Sequence, residues 1–220
     1  METYTKINTL YKRDKETNKI IIGEYSNKEI EYLKDCKFEC TEKIDGTNIK
    51  VCWDGHNLLF EGKTENAQIP NHLVSKLREL FTIEKLQEVF PIKLDENGNE
   101  IPFQVILYGE GYGYKIQKGS NYIQDDVNFI LFDIKIGNWW LERESYTEIA
   151  NQLGIDIVPL IGYYTISEAE LIVKQGFKSR IAQNKHYNAE GLVCKPLYGL
   201  FDRAGKRVIV KIKTVDYKNL

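Results

Sequence analysis

Three stretches of this sequence carry residues suited to phosphate chemistry. In Glu42-Lys43-Ile44-Asp45-Gly46-Thr47-Asn48 a lysine leaves an extended segment and meets Asp-Gly, a tight turn. That placement holds an ammonium group at the mouth of a sheet, fixed by backbone rather than by a flexible loop. Taken alone, Lys-x-Asp-Gly also occurs in ordinary hairpins. Far downstream lie Glu190-Gly191-Leu192-Val193-Cys194-Lys195 and Val208-Ile209-Val210-Lys211-Ile212-Lys213. Lys211 and Lys213 are two apart, so on a strand both point to one face while Val210 and Ile212 point to the other. Paired ammonium groups opposite an apolar stripe suit phosphate oxygens, and a solvent-facing strand has the same spacing.

Other patterns fail on spacing. Gly62-Lys63-Thr64 mimics the end of a P-loop, but Asn57 stands where that motif needs a glycine, and no helical pattern follows at once. Gly109-Glu110-Gly111-Tyr112-Gly113 has the wrong spacing for a dinucleotide fingerprint and opens no helix. No GxSxG elbow and no Ser–His–Asp set occur. Cys36 and Cys40 do not form a CxxC pair. With Cys52 and Cys194 they read as reduced thiols of an intracellular protein rather than a zinc site, and His56, His72 and His186 are not spaced as ligands.

The elements that must position these residues are mostly strands. Ile20 to Tyr25 and Phe38 to Lys43 read as extended, and Asn48 to Trp53 alternates before Asp54-Gly55 turns it into Leu58 to Lys63, a hairpin signal. Phe103 to Tyr108, Asn128 to Ile136, Gly191 to Lys195 and Arg207 to Lys213 complete the strands, and Asn97-Gly98 marks a turn. Pro70 to Phe90 reads as one helical stretch, with Leu73, Leu77, Leu80 and Phe81 on one face. Glu142 to Leu153 predicts an amphipathic helix capped by Gly154, and Ser167 begins another, with Glu170 three residues on as a capping box. Strands with a few inserted helices predict an α+β fold with antiparallel sheets.

The 220 residues, 42% hydrophobic and 28% charged, can bury a core without staples, and no linker, repeat or low-complexity segment divides them. A single domain over 1–220 is expected. No apolar run approaches the roughly 20 residues of a membrane span, and the amino terminus lacks a secretory pattern, so an intracellular, cytoplasmic protein without membrane contact is expected. The net charge of −2 hides an asymmetry. Residues 174–220 hold 11 Lys and Arg against 3 Asp and Glu, and the remainder holds 19 against 29. A basic segment of this kind suits a polyanion, and an ordinary solvated face also fits.

Together these residues resemble the covalent nucleotidyltransferases, the polynucleotide ligases and messenger-RNA capping enzymes. More narrowly they resemble the RNA ligase 2-like family of ATP-dependent polynucleotide ligases. Lys43-Ile44-Asp45-Gly46-Thr47-Asn48 matches the nucleophile motif, and its Thr-Asn ending is typical of that family. Tyr108-Gly109-Glu110, Phe129-Ile130-Leu131-Phe132-Asp133-Ile134, Glu190-Gly191 and Lys211-Ile212-Lys213 match the later motifs in the family's order.

The resemblance implies an adenylyltransferase domain, ATP-grasp-like, with antiparallel sheets flanked by helices around a nucleotide cleft. It implies that Lys43 attacks the α-phosphorus of ATP to give lysyl-AMP, with Lys211 and Lys213 as further catalytic residues. A free lysine, with a pKa near ~10.4, is almost wholly charged at neutral pH. Cations such as Lys211, Lys213 and Mg²⁺ (or Mn²⁺) favour the neutral amine. Glu42, Ile44, Asn48, Glu110, Phe132, Glu190, Lys211 and Lys213 are the implied nucleotide-binding set. Within it Glu110 takes the ribose hydroxyls, Phe132 stacks on adenine and Glu190 stands beside the metal. Gln117 and Lys63 are the implied nucleic-acid and phosphate contacts, although the family usually has Arg at the position of Lys63, and only Arg grips phosphate bidentately. Tyr4 or Tyr11 corresponds to an amino-terminal family tyrosine.

The implied partner is RNA, or an RNA/DNA nicked duplex, whose 5′-phosphate and 3′-hydroxyl ends are joined by a monomer. Ligases of this kind usually carry a further carboxy-terminal domain, and the sequence ends seven residues after Lys213. The alternatives are a DNA ligase, a GTP-dependent capping guanylyltransferase and a non-catalytic RNA-binding protein of the same fold. The Thr47-Asn48 ending argues against the guanylyltransferase, and intact Lys43, Glu190, Lys211 and Lys213 argue against loss of catalysis. An NAD-dependent ligase fits poorly, because only 42 residues precede Lys43.

Overall fold

The structure, a computed structural model, describes residues 4–64 and 67–218. The chain begins in one compact unit, residues 5–44. It builds a second from 45–157 together with Tyr4, and returns to the first over 158–218.

The discontinuous unit opens with β1 (Asn8–Thr9), β2 (Tyr11–Arg13), β3 (Ile20–Tyr25), α1 (Lys28–Leu33) and β4 (Phe38–Glu42). Helix α1 starts where the Asn27 side chain accepts the Glu29 and Ile30 N–H groups, two of the donors a first turn leaves unpaired.

The contiguous unit follows with β5 (Thr47–Trp53), β6 (Leu58–Glu61), α2 (Asn71–Leu80), α3 (Ile83–Val89), β7 (Val105–Gly113), β8 (Val127–Ile136), β9 (Trp139–Trp140), α4 (Arg143–Leu153) and β10 (Asp156–Ile157). Its strands pair in the order β10-β8-β7-β5-β6 with β9 on β8, all antiparallel except β10 on β8. The Asp54 carboxylate accepts the His56 and Asn57 N–H groups and closes the expected hairpin between β5 and β6.

One face of this sheet carries Ile49, Val51, Trp53, Val105, Leu107, Phe129, Leu131 and Ile134. Leu73 and Leu77 of α2, Leu86 of α3, and Tyr146 and Ala150 of α4 close over it. Gly154, with φ +69°, ends α4 as the sequence predicts. The single helix expected over Pro70 to Phe90 is two. The chain turns extended at Phe81 and Thr82, and the Thr82 hydroxyl accepts the Lys85 N–H to start α3.

The chain then completes the first unit with β11 (Leu160–Tyr164), α5 (Ile166–Gln175), β12 (Gly191–Pro196) and β13 (Val210–Lys213). Helix α5 begins at Ile166, one residue before the expected Ser167. Thr165 is its cap, and the reciprocal bond comes from Glu168 rather than Glu170. The sheet order is β1-β13-β12-β4-β11, antiparallel but for β1 on β13. Leu10, Ile30, Phe38, Ile166, Val173, Leu192, Val210 and Ile212 fill its core. Cys40 and Cys194 lie in it as buried free thiols on directly paired positions, with Sγ atoms 3.3 Å apart. Both units together give the α+β fold with antiparallel sheets that the sequence predicts. Among the described residues no helix is long and apolar enough to cross a membrane.

Candidate active site

In the discontinuous unit the motif residues stand at the ends of paired strands. Lys43 follows β4, and its backbone N–H donates to the Gly191 carbonyl at 2.9 Å. Glu190 precedes β12, and its carbonyl accepts the Thr214 N–H at 2.9 Å. Gly191 allows the approach. Its φ is +151°, and a Cβ there would sit 1.9 Å from the Ile212 carbonyl oxygen, so the glycine after Glu190 is a backbone requirement.

The side chains then converge on one carboxylate. Lys43 Nζ lies 2.5 Å from Glu190 Oε2, and Lys213 Nζ lies 2.7 Å from Glu190 Oε1. All three are partly buried, where charges are screened less than on an open surface. The nearest charge to Lys43 is thus a carboxylate, with a second ammonium on its other oxygen. Lys211 stands two residues before Lys213 on the lysine-bearing face of β13, while Val210 and Ile212 are buried behind it.

Glu42 alternates away from Lys43 and is buried. Its Oε2 accepts the Arg180 backbone N–H at 2.8 Å. Burial raises its pKa above the ordinary value, outweighing the hydrogen bonds from Ser179 and the Arg180 N–H. Ile44 is buried, and its carbonyl lies 3.4 Å from Lys43 Nζ.

The contiguous unit holds Asn48, Glu110 and Phe132 on the sheet face opposite its core. Asn48 and Glu110 are direct cross-strand partners on β5 and β7. Asn48 Oδ1 is enclosed and accepts no hydrogen bond, which is unusual for a buried polar atom and leaves an acceptor available. Gly46 keeps the turn before β5 tight, because a Cβ there would lie 2.3 Å from the Gly111 carbonyl.

Phe132 is the extra residue of a β-bulge. Tyr108 pairs with Asp133 and Gly109 with Leu131, so the register shifts by one residue at Phe132. The bulge brings Phe132 and Asp133 to the same face, and bulges commonly re-aim side chains beside active sites. Tyr4 packs edge-on against Phe132 with centroids 5.2 Å apart, and its hydroxyl donates to Asp133 Oδ2 at 2.7 Å. Tyr108 and Trp140 flank the Tyr4 ring. Of the two amino-terminal tyrosines, Tyr4 reaches the Phe132 motif. Tyr11 instead lies in the discontinuous unit, bonded to Glu170. Lys63 is exposed after β6, and Gln117 is exposed in the turn after β7 with φ +50°.

Sequence reasoning missed Asp133, Arg180 and the buried Lys50–Glu61 ion pair of β5 and β6, at 2.5 Å. Asp133 and Lys50 could have been found, because each is a charged residue inside an apolar strand, a position seldom occupied unless it is paired. The contact of Arg180 with Glu42 spans 138 positions and leaves no local pattern.

Among the described residues no three His, Cys, Asp or Glu side chains converge as a metal cage. A hydrated divalent ion held by one carboxylate and substrate phosphates needs no cage, and Glu190 fits that demand.

The RNA ligase family model matches residues 37–213. No curated protein matches the chain. Among solved structures, the Naegleria gruberi RNA ligase with PPi covers 99% of this chain at 22% identity and a TM-score of 0.63. A substituted form of the same ligase with ATP and Mn gives the same three values. The chain spans 61% and 63% of those two chains, and the likeness establishes a shared fold. The family match takes in every motif from Lys43 to Lys213, and on it the chain belongs to the RNA ligase family.

Proposed function

We propose that the chain is an ATP-dependent RNA ligase working through a lysyl-AMP intermediate at Lys43. The observation that carries this reading is the single carboxylate, Glu190, held between the Lys43 and Lys213 ammonium groups. Glu190 Oε2 holds the Lys43 ammonium within hydrogen-bond reach, and the cations Lys211 and Lys213 favour loss of its proton to solvent. The freed amine attacks the α-phosphorus of ATP, the N–P bond forms, and the P–O bond to pyrophosphate breaks. Lys213 and Lys211 offer positive charge to the phosphate oxygens as negative charge shifts onto the leaving pyrophosphate. Glu190 would hold a Mg²⁺ or Mn²⁺ ion, which would supply further charge stabilisation for the phosphates.

Two solved neighbours carry the molecules this reaction needs, ATP with Mn in one and PPi in the other. Adenine stacks on Phe132, the ribose hydroxyls bond Glu110, and Asn48 Oδ1 supplies an acceptor. Transfer of AMP to a 5′-phosphate and attack by a 3′-hydroxyl then seal RNA, at nicks in duplex, with a monomer acting in the cytoplasm.

The test is incubation of the protein with Mg²⁺ and α-labelled ATP, GTP or NAD. Label from ATP alone becomes covalently attached, and Lys43→Ala abolishes it; unchanged labelling in Lys43→Ala refutes the nucleophile. Nicked duplexes with ribose or deoxyribose on the 3′-hydroxyl side then separate RNA from DNA ligation, since only ribose offers a 2′-hydroxyl.

A further inference from the structure

The connection between β12 and β13 is longer than a turn requires, and it is built rather than loose. The Val208 N–H donates to the Leu200 carbonyl at 2.9 Å, and the Asp202 N–H to the Lys206 carbonyl at 2.8 Å. Phe201 and Arg207 form an isolated bridge. The Asp202 carboxylate is spent on the turn, accepting the Ala204 and Lys206 N–H groups at 2.8 Å each. This is a small hairpin extending from two strands of the discontinuous unit.

Its surface is unlike an ordinary loop. Leu197, Tyr198, Leu200 and Phe201 are 44%, 79%, 40% and 51% exposed, four large apolar side chains within five positions. Scattered exposed apolar residues are normal, whereas a contiguous group marks a site of interaction. Residues 195–207 also carry four Lys and Arg against one Asp, whose carboxylate closes the turn. Exposed aromatic rings among cations are the pairing that holds single-stranded nucleic acid, with rings stacking on bases and cations meeting phosphates. A rigid duplex keeps its base faces covered and offers the rings nothing to stack on.

We propose that this hairpin is a stacking platform for a single-stranded RNA segment, with Tyr198 and Phe201 as base platforms and Arg203 and Lys206 as phosphate contacts. The proposal rests on the ligase reading for its choice of RNA. The hairpin lies at the end of β12 and β13 away from Glu190 and Lys213. Counted along the strand, Arg207 is six residues, roughly 20 Å, from Lys213. A nucleotide at Lys43 does not reach it, so lysine adenylylation and RNA capture at the hairpin are separable.

The test measures fluorescence anisotropy of a labelled single-stranded pyrimidine RNA of about 16 nucleotides, a length within the range such surfaces occupy. Covalent labelling from α-labelled ATP is read in parallel on the same proteins. Tyr198→Ala and Phe201→Ala each weaken RNA binding about tenfold, Tyr198→Trp restores it, and all three keep the labelling of the parent chain. Arg203→Ala with Lys206→Ala lowers the magnitude of the salt slope by about 1.4. Phe201 bridges Arg207, so if Phe201→Ala unfolds, Tyr198→Ala decides alone. Unchanged RNA affinity in folded Tyr198→Ala overturns the proposal. So does equal binding of a blunt RNA duplex that is indifferent to Tyr198, or a self-associated form that Tyr198→Ala dissolves while RNA affinity stays unchanged. Absent labelling in the parent chain overturns the ligase reading instead, and leaves the hairpin to be judged on the anisotropy.

Discussion

Because Glu190 is shared, its two lysines have different consequences when removed. Lys213→Ala leaves Glu190 paired with Lys43, so no partly buried carboxylate is left alone and stability changes by only about 1 kcal/mol. Labelling by α-labelled ATP falls about a hundredfold or more, the scale of losing one preorganised charge contact. A thermal melt beside the labelling rate checks both halves; parallel losses would reduce Lys213 to a structural role. Glu42 yields a prediction in pH. Its carboxyl is raised above the ordinary glutamate value near ~4.3 by burial. Between the two values the folded chain keeps a proton that the unfolded chain has lost. The stabilisation from that proton is full below the ordinary value and fades as pH rises through the folded one. The stability of the parent chain minus that of Glu42→Gln, from urea unfolding between about pH 4 and 8, falls as pH rises. A flat difference contradicts the buried carboxyl. Lys63→Arg, which restores a bidentate donor, improves sealing of 5′-phosphate ends more than it changes lysine labelling. Improved labelling alone would place position 63 in the first step instead. The family was legible in Lys43, Glu190, Lys211 and Lys213 because fixed residue types stand in a fixed order. Tyr4 was not, since its place beside Phe132 is a contact across 128 positions.

Elements were legible where signals are local. Asp54-Gly55 and Gly154 mark the chain ends they were read to mark, because turn and cap chemistry is decided within a few residues. The break between α2 and α3 was masked by continuous apolar periodicity, and only the Thr82 cap betrays it. Strand β7 runs five residues past the expected Tyr108 because its glycines allow close packing there; a Cβ on Gly109 would meet the Phe129 ring at 2.2 Å. The same logic makes Gly191→Ala costly. It meets both a positive φ and the Ile212 carbonyl at 1.9 Å, so roughly 2 kcal/mol or more of stability is lost, visible as a melting temperature lower by several degrees. An unchanged melt would show that β12 and β13 tolerate separation. The bulge at Phe132 has no signature in alternation, because it breaks the period on which strand reading depends.

The division of the chain into two compact units was the least legible feature, because a unit built from 5–44 and 158–218 leaves no linker to find. The contiguous part has its own sheet and core, so residues 45–157 expressed alone give a cooperative melt and dispersed amide resonances. A collapsed, non-cooperative product would show that its core needs the rest of the chain. The same interruption sets a timetable for synthesis on the ribosome. β4 is made early, yet both of its neighbours, β11 and β12, leave the tunnel only after the whole intervening segment. Lys43 therefore waits without Glu190 through most of translation, and a nascent chain stalled before residue 190 holds the Lys43 ammonium without the carboxylate that meets it.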